Sequence, residues 1–199
     1  MKKLITSLVF IILVLTSTSS FSYNSDPKIF INELVNDAIN ILSDKNISIT
    51  DKNKKIAAIA LENVDVDALG MYTLGNLRKT LDEDTLRKYK GLFEKYLLKS
   101  LTSRLTDYSK QNFEVLEAEQ KSESYTIVIS KISDSASGPE VNINWRVYTK
   151  DPAKPLIRDL IVEGLSLAKT QKEEFRSILN SNKNDINILL TKLEEFIKN

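Results

Sequence analysis

The chain has 199 residues, with 28 Lys+Arg, 27 Asp+Glu, no Cys and no His. Without Cys there is no disulfide, no thiolate nucleophile and no thiolate-bound zinc; without His the usual general base, the commonest metal ligand and any Ser-His-Asp triad are gone. A net charge of +1 excludes a strongly basic nucleic-acid surface, and 42% apolar with 28% charged residues is the balance of one globular domain.

Met1-Lys2-Lys3 is a short basic start. An apolar run from Leu4 to Leu15 follows, then small residues through Ser22. This is the pattern of a secretory signal peptide, too short in its apolar part to span a bilayer comfortably. Cleavage after Ser22 is expected to leave a mature domain, residues 23–199, in the periplasm. Removing Lys2 and Lys3 makes its charge slightly negative.

Asp26-Pro27 reads as a helix start, with Ile29/Phe30, Leu34, Ala38 and Ile41/Leu42 on one face. Thr50 or Asp51 caps a second helix with Ile56, Ile59, Ala60 and Val64 as its apolar set. Asp67 opens a short third helix ending near Gly75. Thr80-Leu81-Asp82-Glu83 reads as a capping box for a long helix to about Tyr108, spanning roughly 40 Å at the usual helical rise.

The apolar period then changes to two. Strands are expected over 113–119, 124–132, 140–149 and 156–163; Val141, Ile143, Trp145 and Val147 alternate with polar neighbours as in a half-buried strand. The fourth reads as apolar on both faces, Ile157 and Ile161 on one, Leu160 and Val162 on the other. Helices over about 170–179 and 185–197 close the chain. Helices, strands, then helices argue an α+β domain, with helices packed on a curved antiparallel sheet and an apolar cavity between them.

Chemistry-bearing residues are few. Asp159 and Glu163, four apart on one expected strand, and Asp65 with Asp67 are the candidate carboxylate pairs, with Arg158 and Arg146 as possible ion-pair partners. Ser166 has no His to activate it. No Gly-rich phosphate loop, dinucleotide fingerprint or metal-ligand spacing occurs. No cofactor, metal or catalytic residue is therefore expected, and the chain reads as a secreted α+β domain binding something apolar rather than as an enzyme. A carboxylate enzyme built on Asp159 and Glu163, or an adaptor with a filled core, is the alternative.

The run Asp159-Leu160-Ile161-Val162-Glu163-Gly164-Leu165-Ser166-Leu167, followed by Phe175-Arg176-Ser177-Ile178, resembles the C-terminal signature of MlaC-type proteins, the toluene-tolerance family. Val64-Asp65-Val66-Asp67, Leu74-Gly75 and Thr80-Leu81-Asp82-Glu83 are similar to its N-terminal signature. The sequence departs from the family pattern at Asn76-Leu77-Arg78, where an aromatic pair is usual, and at Ala153-Lys154-Pro155-Leu156, where Gly-Trp-Lys is usual.

The resemblance implies a nuclear-transport-factor-like fold and a periplasmic phospholipid carrier without covalent catalysis. The implied partners are a phospholipid, an outer-membrane lipoprotein complex and an inner-membrane ABC transporter complex, with no nucleic acid. The apolar residues expected to face the space between sheet and helices, and so to hold acyl chains, are Leu69, Tyr72, Leu74, Leu97, Leu101, Val147, Leu160, Val162 and Leu167.

Overall fold

The computed structural model describes residues 23–105, 112–133 and 139–199; the expected signal segment lies outside them. Among the described residues, six α-helices pack on a five-stranded antiparallel meander of order β1-β2-β3-β4-β5. The helices are α1 (Pro27–Ser43), α2 (Ile49–Asn63), α3 (Val66–Thr73), α4 (Glu83–Leu105), α5 (Leu167–Ser181) and α6 (Ile186–Lys198). The strands are β1 (Asn112–Ser122), β2 (Tyr125–Ser133), β3 (Glu140–Tyr148), β4 (Leu156–Val162) and β5 (Leu165–Ser166).

Local chemistry sets most helix starts. Asp26 accepts from the amides of Lys28 and Ile29, as the sequence predicts, and Asp185 caps α6, at the expected start of that helix. Three of the expected caps differ, and α5 begins at Leu167 rather than near Thr170. Ser48, not Thr50 or Asp51, caps α2; Asp65, not Asp67, caps α3. The expected capping box does not form: Asp82 accepts from the backbone N–H and hydroxyl of Thr85, at 2.8 and 2.9 Å. Thr80 instead donates to the Leu77 carbonyl, closing a 3-10 helix over Gly75–Lys79. A carboxylate one turn before the first free amides satisfies them better than a hydroxyl two residues further back.

The strand register holds one surprise. Val147 faces Ile157 and Arg146 faces Asp159, so Arg158 is an extra residue in β4. The bulge puts Ile157, Leu160 and Val162 on the helix side, opposite Val147, Trp145 and Ile143, and leaves Ile161 opposite Asn144 on the outer side. The expected division of these four residues between the faces is thereby corrected. Simple alternation fails across a bulge, because one residue is inserted without a partner.

Two apolar clusters result. The first lies between α1, α2 and the sheet, around Phe30, Ile31, Ile59, Val128 and Trp145. The second is almost wholly helical, around Tyr89, Phe93, Phe175, Leu189 and Leu193. The corner between α2 and α3 ties the two together. There Val64 bridges Ile157 and the Asp65 amide donates to the Ile157 carbonyl at 2.9 Å. Asp65 also accepts from Nε and Nη2 of Arg158, both at 2.7 Å, while the guanidinium lies 3.4 Å from the Tyr148 ring centre.

Candidate lipid-binding cavity

An apolar cavity of about 330 Å³ opens inside the first cluster. Helix α1 contributes Leu34, Val35, Ala38, Ile39 and Leu42; α2 contributes Ile56, Ile59 and Ala60, with Val64 just beyond it. Leu101 reaches in from α4. The sheet supplies Phe113, Ile132, Ile143, Trp145, Ile157 and Leu160. None of the sixteen lining side chains is charged, and the one polar atom among them is spoken for. Trp145 Nε1–H donates to Ser130 Oγ at 2.9 Å, and that hydroxyl donates to the Ile143 carbonyl at 2.9 Å. A wall without unmet donors or acceptors favours a hydrocarbon ligand over a polar one, since a buried polar group needs a partner.

Of the nine residues expected to hold acyl chains, the structure brings Leu101 and Leu160 together in this wall. Val147 is fully buried on the same sheet face, packed into the cluster rather than lining the space. Val162 shares that face, opposite Ile143. Leu69, Leu74 and Leu97 go elsewhere, into the helical cluster. Tyr72 and Leu167 are each 42% exposed. The reason is topological: α3, α5 and most of α4 bury their apolar faces against one another, while α1 packs on the sheet and α2 faces it across the cavity. The signal for the α1 and α2 wall was in the sequence. Both helices have apolar faces that include a small residue, Ala38 and Ala60, which leaves room opposite large sheet side chains.

The four candidate carboxylates are all engaged in structural contacts. Asp159 is 3% exposed; it accepts from Ser166 Oγ at 2.6 Å and from the Ala168 amide at 3.0 Å, and lies 3.5 Å from Arg146 Nη1. Ser166 itself caps α5 by accepting from the Lys169 amide. Glu163 is not on the strand: it turns the chain with φ +47, beside Gly164 at φ +82, and its carboxylate accepts from the Asn142 amide. Asp65 caps α3 and holds Arg158; Asp67 pairs with Lys90 at 2.8 Å. Asp159 and Glu163 therefore do not converge as an acid/base pair. Among the described residues, no group of three acidic side chains is placed to hold a metal, and no helix is long and apolar enough to cross a membrane.

No curated protein matches the sequence significantly. Among solved structures, a phospholipid-binding protein from Ralstonia solanacearum, determined in complex with a phospholipid, is similar. The match has a TM-score of 0.73 at 16% identity, covering 88% of this chain and 97% of that one. At that identity the likeness speaks for the fold: helices covering one face of an antiparallel sheet. The sequence also matches the family model described as MlaC protein, over residues 32–195. The corner built by Asp159, Glu163, Gly164 and Ser166 lies within that match, and the chain belongs to the MlaC family.

Proposed function

We propose that this protein is a periplasmic phospholipid carrier that takes up acyl chain in the cavity between α1, α2 and the sheet. The observation that carries the reading is the all-apolar wall around about 330 Å³, within the range of about 300–1,000 Å³ typical of small-molecule sites. Membership of the MlaC family and the phospholipid held by the Ralstonia solanacearum protein support it. Burial of an acyl chain is favourable by about 0.8 kcal/mol per methylene, while the charged headgroup stays in water at the mouth because desolvating it costs heavily. In this reading residues 1–22 are a signal peptide, and the carrier exchanges lipid between an outer-membrane lipoprotein complex and an inner-membrane ABC transporter. Its chemistry is burial and release, not catalysis, and Leu101 and Leu160 are the expected acyl contacts that the cavity wall contains.

The test is native mass spectrometry, with organic extraction, of the chain beginning at Tyr23. Stoichiometric phospholipid is expected, and it should be absent from folded Leu101→Asp and Leu160→Asp variants. Lipid retained in both variants, or never found in the parent, sinks the reading.

A further inference from the structure

A second concavity, of about 500 Å³, lies away from the lipid cavity, between α3, the 3-10 helix at Gly75–Lys79 and α5. Its lining includes three cations, Arg78, Lys172 and Arg176, and no carboxylate. That is unusual on a molecule whose charges nearly cancel. Arg87, Arg146, Arg158 and Arg176 each have a carboxylate partner within 4 Å, whereas Arg78 has none among the described residues.

Arg78 is nonetheless held in place. Its Nη1 donates to the carbonyls of Met71 at 3.2 Å and Gly75 at 2.6 Å, across the turn that Gly75 makes at φ +58. Among the described residues, Nε and Nη2 meet no acceptor. The guanidinium is thus fixed on one side, with its remaining donors uncommitted. Lys172 also has no carboxylate partner among the described residues; its ammonium sits 4.6 Å from the centre of the exposed Tyr72 ring. Arg176 has one exposed partner, Glu173, which lies outside the groove.

We propose that this groove is a docking site for a carboxylate-bearing segment of a partner protein. A guanidinium fork matches a carboxylate with two parallel hydrogen bonds, and Lys172 adds a second positive charge beside it. Half-buried Leu77 and the exposed Tyr72 ring supply the apolar part of the lining, with Leu74 and Leu179 buried beneath, so the fitting segment carries apolar as well as acidic side chains. A concave site suits a protruding chain segment better than the flat surface of a bilayer. Such docking is independent of lipid binding in the cavity.

The experiment is fluorescence anisotropy of the lipid-loaded chain beginning at Tyr23 with a labelled dodecapeptide alternating Glu and Leu. A Gln and Leu peptide is the neutral control. The Glu peptide should bind and weaken as salt rises from about 0.05 to about 0.3 M, where screening shortens from well above to below 10 Å. Lys172→Glu should weaken it by about tenfold or more, through reversed charge at the site. Arg78→Lys keeps the charge but loses the fork, and should weaken binding by a smaller factor. Circular dichroism and retained lipid should match the parent in both. Should Arg78→Lys disturb the turn, Lys172→Glu and the exposed Arg176→Gln carry the test. Equal binding of the two peptides, or unchanged affinity in Lys172→Glu, overturns the proposal. So does displacement of the peptide by low millimolar inorganic phosphate. Binding to phosphatidylglycerol vesicles but not to the peptide would overturn it as well, by assigning the groove to a membrane. Loss of lipid with peptide binding intact would count against the carrier reading alone.

Discussion

In the helical cluster, the Phe93 ring lies 5.9, 6.3 and 6.4 Å from the ring centres of Tyr89, Tyr96 and Phe175. Tyr89 is fully buried and its hydroxyl is within 2.7 Å of Thr73 Oγ1, while burial holds its pKa well above the ordinary phenol range. On the sheet side, Phe113 meets Trp145 edge to face at 6.3 Å, and beyond that pair aliphatic side chains surround a cavity. The same apolar material is used in two ways. Packed aromatic rings fill space with few rotatable bonds. Aliphatic residues on a bulged sheet, facing helices with Ala38 and Ala60, do not close the gap. A cavity lowers stability in proportion to its volume, so one of this size is consistent with selection for ligand space at the expense of packing.

The largest expected effect probes the filled cluster. Phe93→Ala should cost about 3–5 kcal/mol in urea unfolding, with lipid still bound by the folded fraction. A loss under about 1 kcal/mol would erase the contrast between the clusters. Asp159→Asn tests the corner between β4 and α5: it removes a charged acceptor from Ser166 and Ala168 and should cost about 2–3 kcal/mol, again without loss of lipid. Selective loss of lipid at unchanged stability would show that this carboxylate acts on the ligand instead.

Gly70→Ala sharpens the comparison by overfilling. A Cβ there would meet Phe93 Cδ1 at 2.9 Å, so despite the better helix propensity of Ala a net loss of about 1–2 kcal/mol is expected. Ala38→Leu adds bulk to the cavity wall and should change stability by less than about 1 kcal/mol, while lowering retained lipid several-fold by mass spectrometry. Equal destabilisation by both would mean that the cavity is as tightly packed as the helical cluster.

The smallest effect is at the surface. Hydrogen bonds from the Thr85 amide and hydroxyl hold the Asp82 carboxyl below its ordinary value of 3.8. A pKa lowered in the folded state contributes stability above that value, and loses it as pH falls through the folded one. The stability difference between the parent and Asp82→Ala should therefore shrink below pH 3.8, while Thr80→Ala shows no such pH dependence. Stability curves against pH for the two variants check this.

Much of the fold is legible in the sequence. Asp26-Pro27 and Asp185 mark helix starts because a cap is a contact between near neighbours in the chain. Val141 to Val147 declares a strand because alternation is local too. The signature around Asp159 is legible as a family mark, yet what it builds is a corner: Asp159 reaches Ser166 and Ala168 across a left-handed turn. The cavity wall was only partly legible. Leu101 and Leu160 line it, but Leu69, Leu74 and Leu97 look no different in sequence and pack among helices.

By itself, the sequence determined the α+β class, the order of elements and the lack of Cys and His chemistry. These follow from composition, from periodicity and from interactions a few residues long. Tertiary structure decided which apolar faces meet. It set α1 against β1 and β2, held α2 on α1 and α4 across the cavity from the sheet, and packed α3 to α6 mainly against one another. The inserted Arg158 brought Ile157 and Leu160 to the same face. Burial is non-directional, so an apolar stripe states that it must be covered, not by what. Only packing of the whole chain fixes the cover, and with it the place where cover and sheet leave a cavity between them.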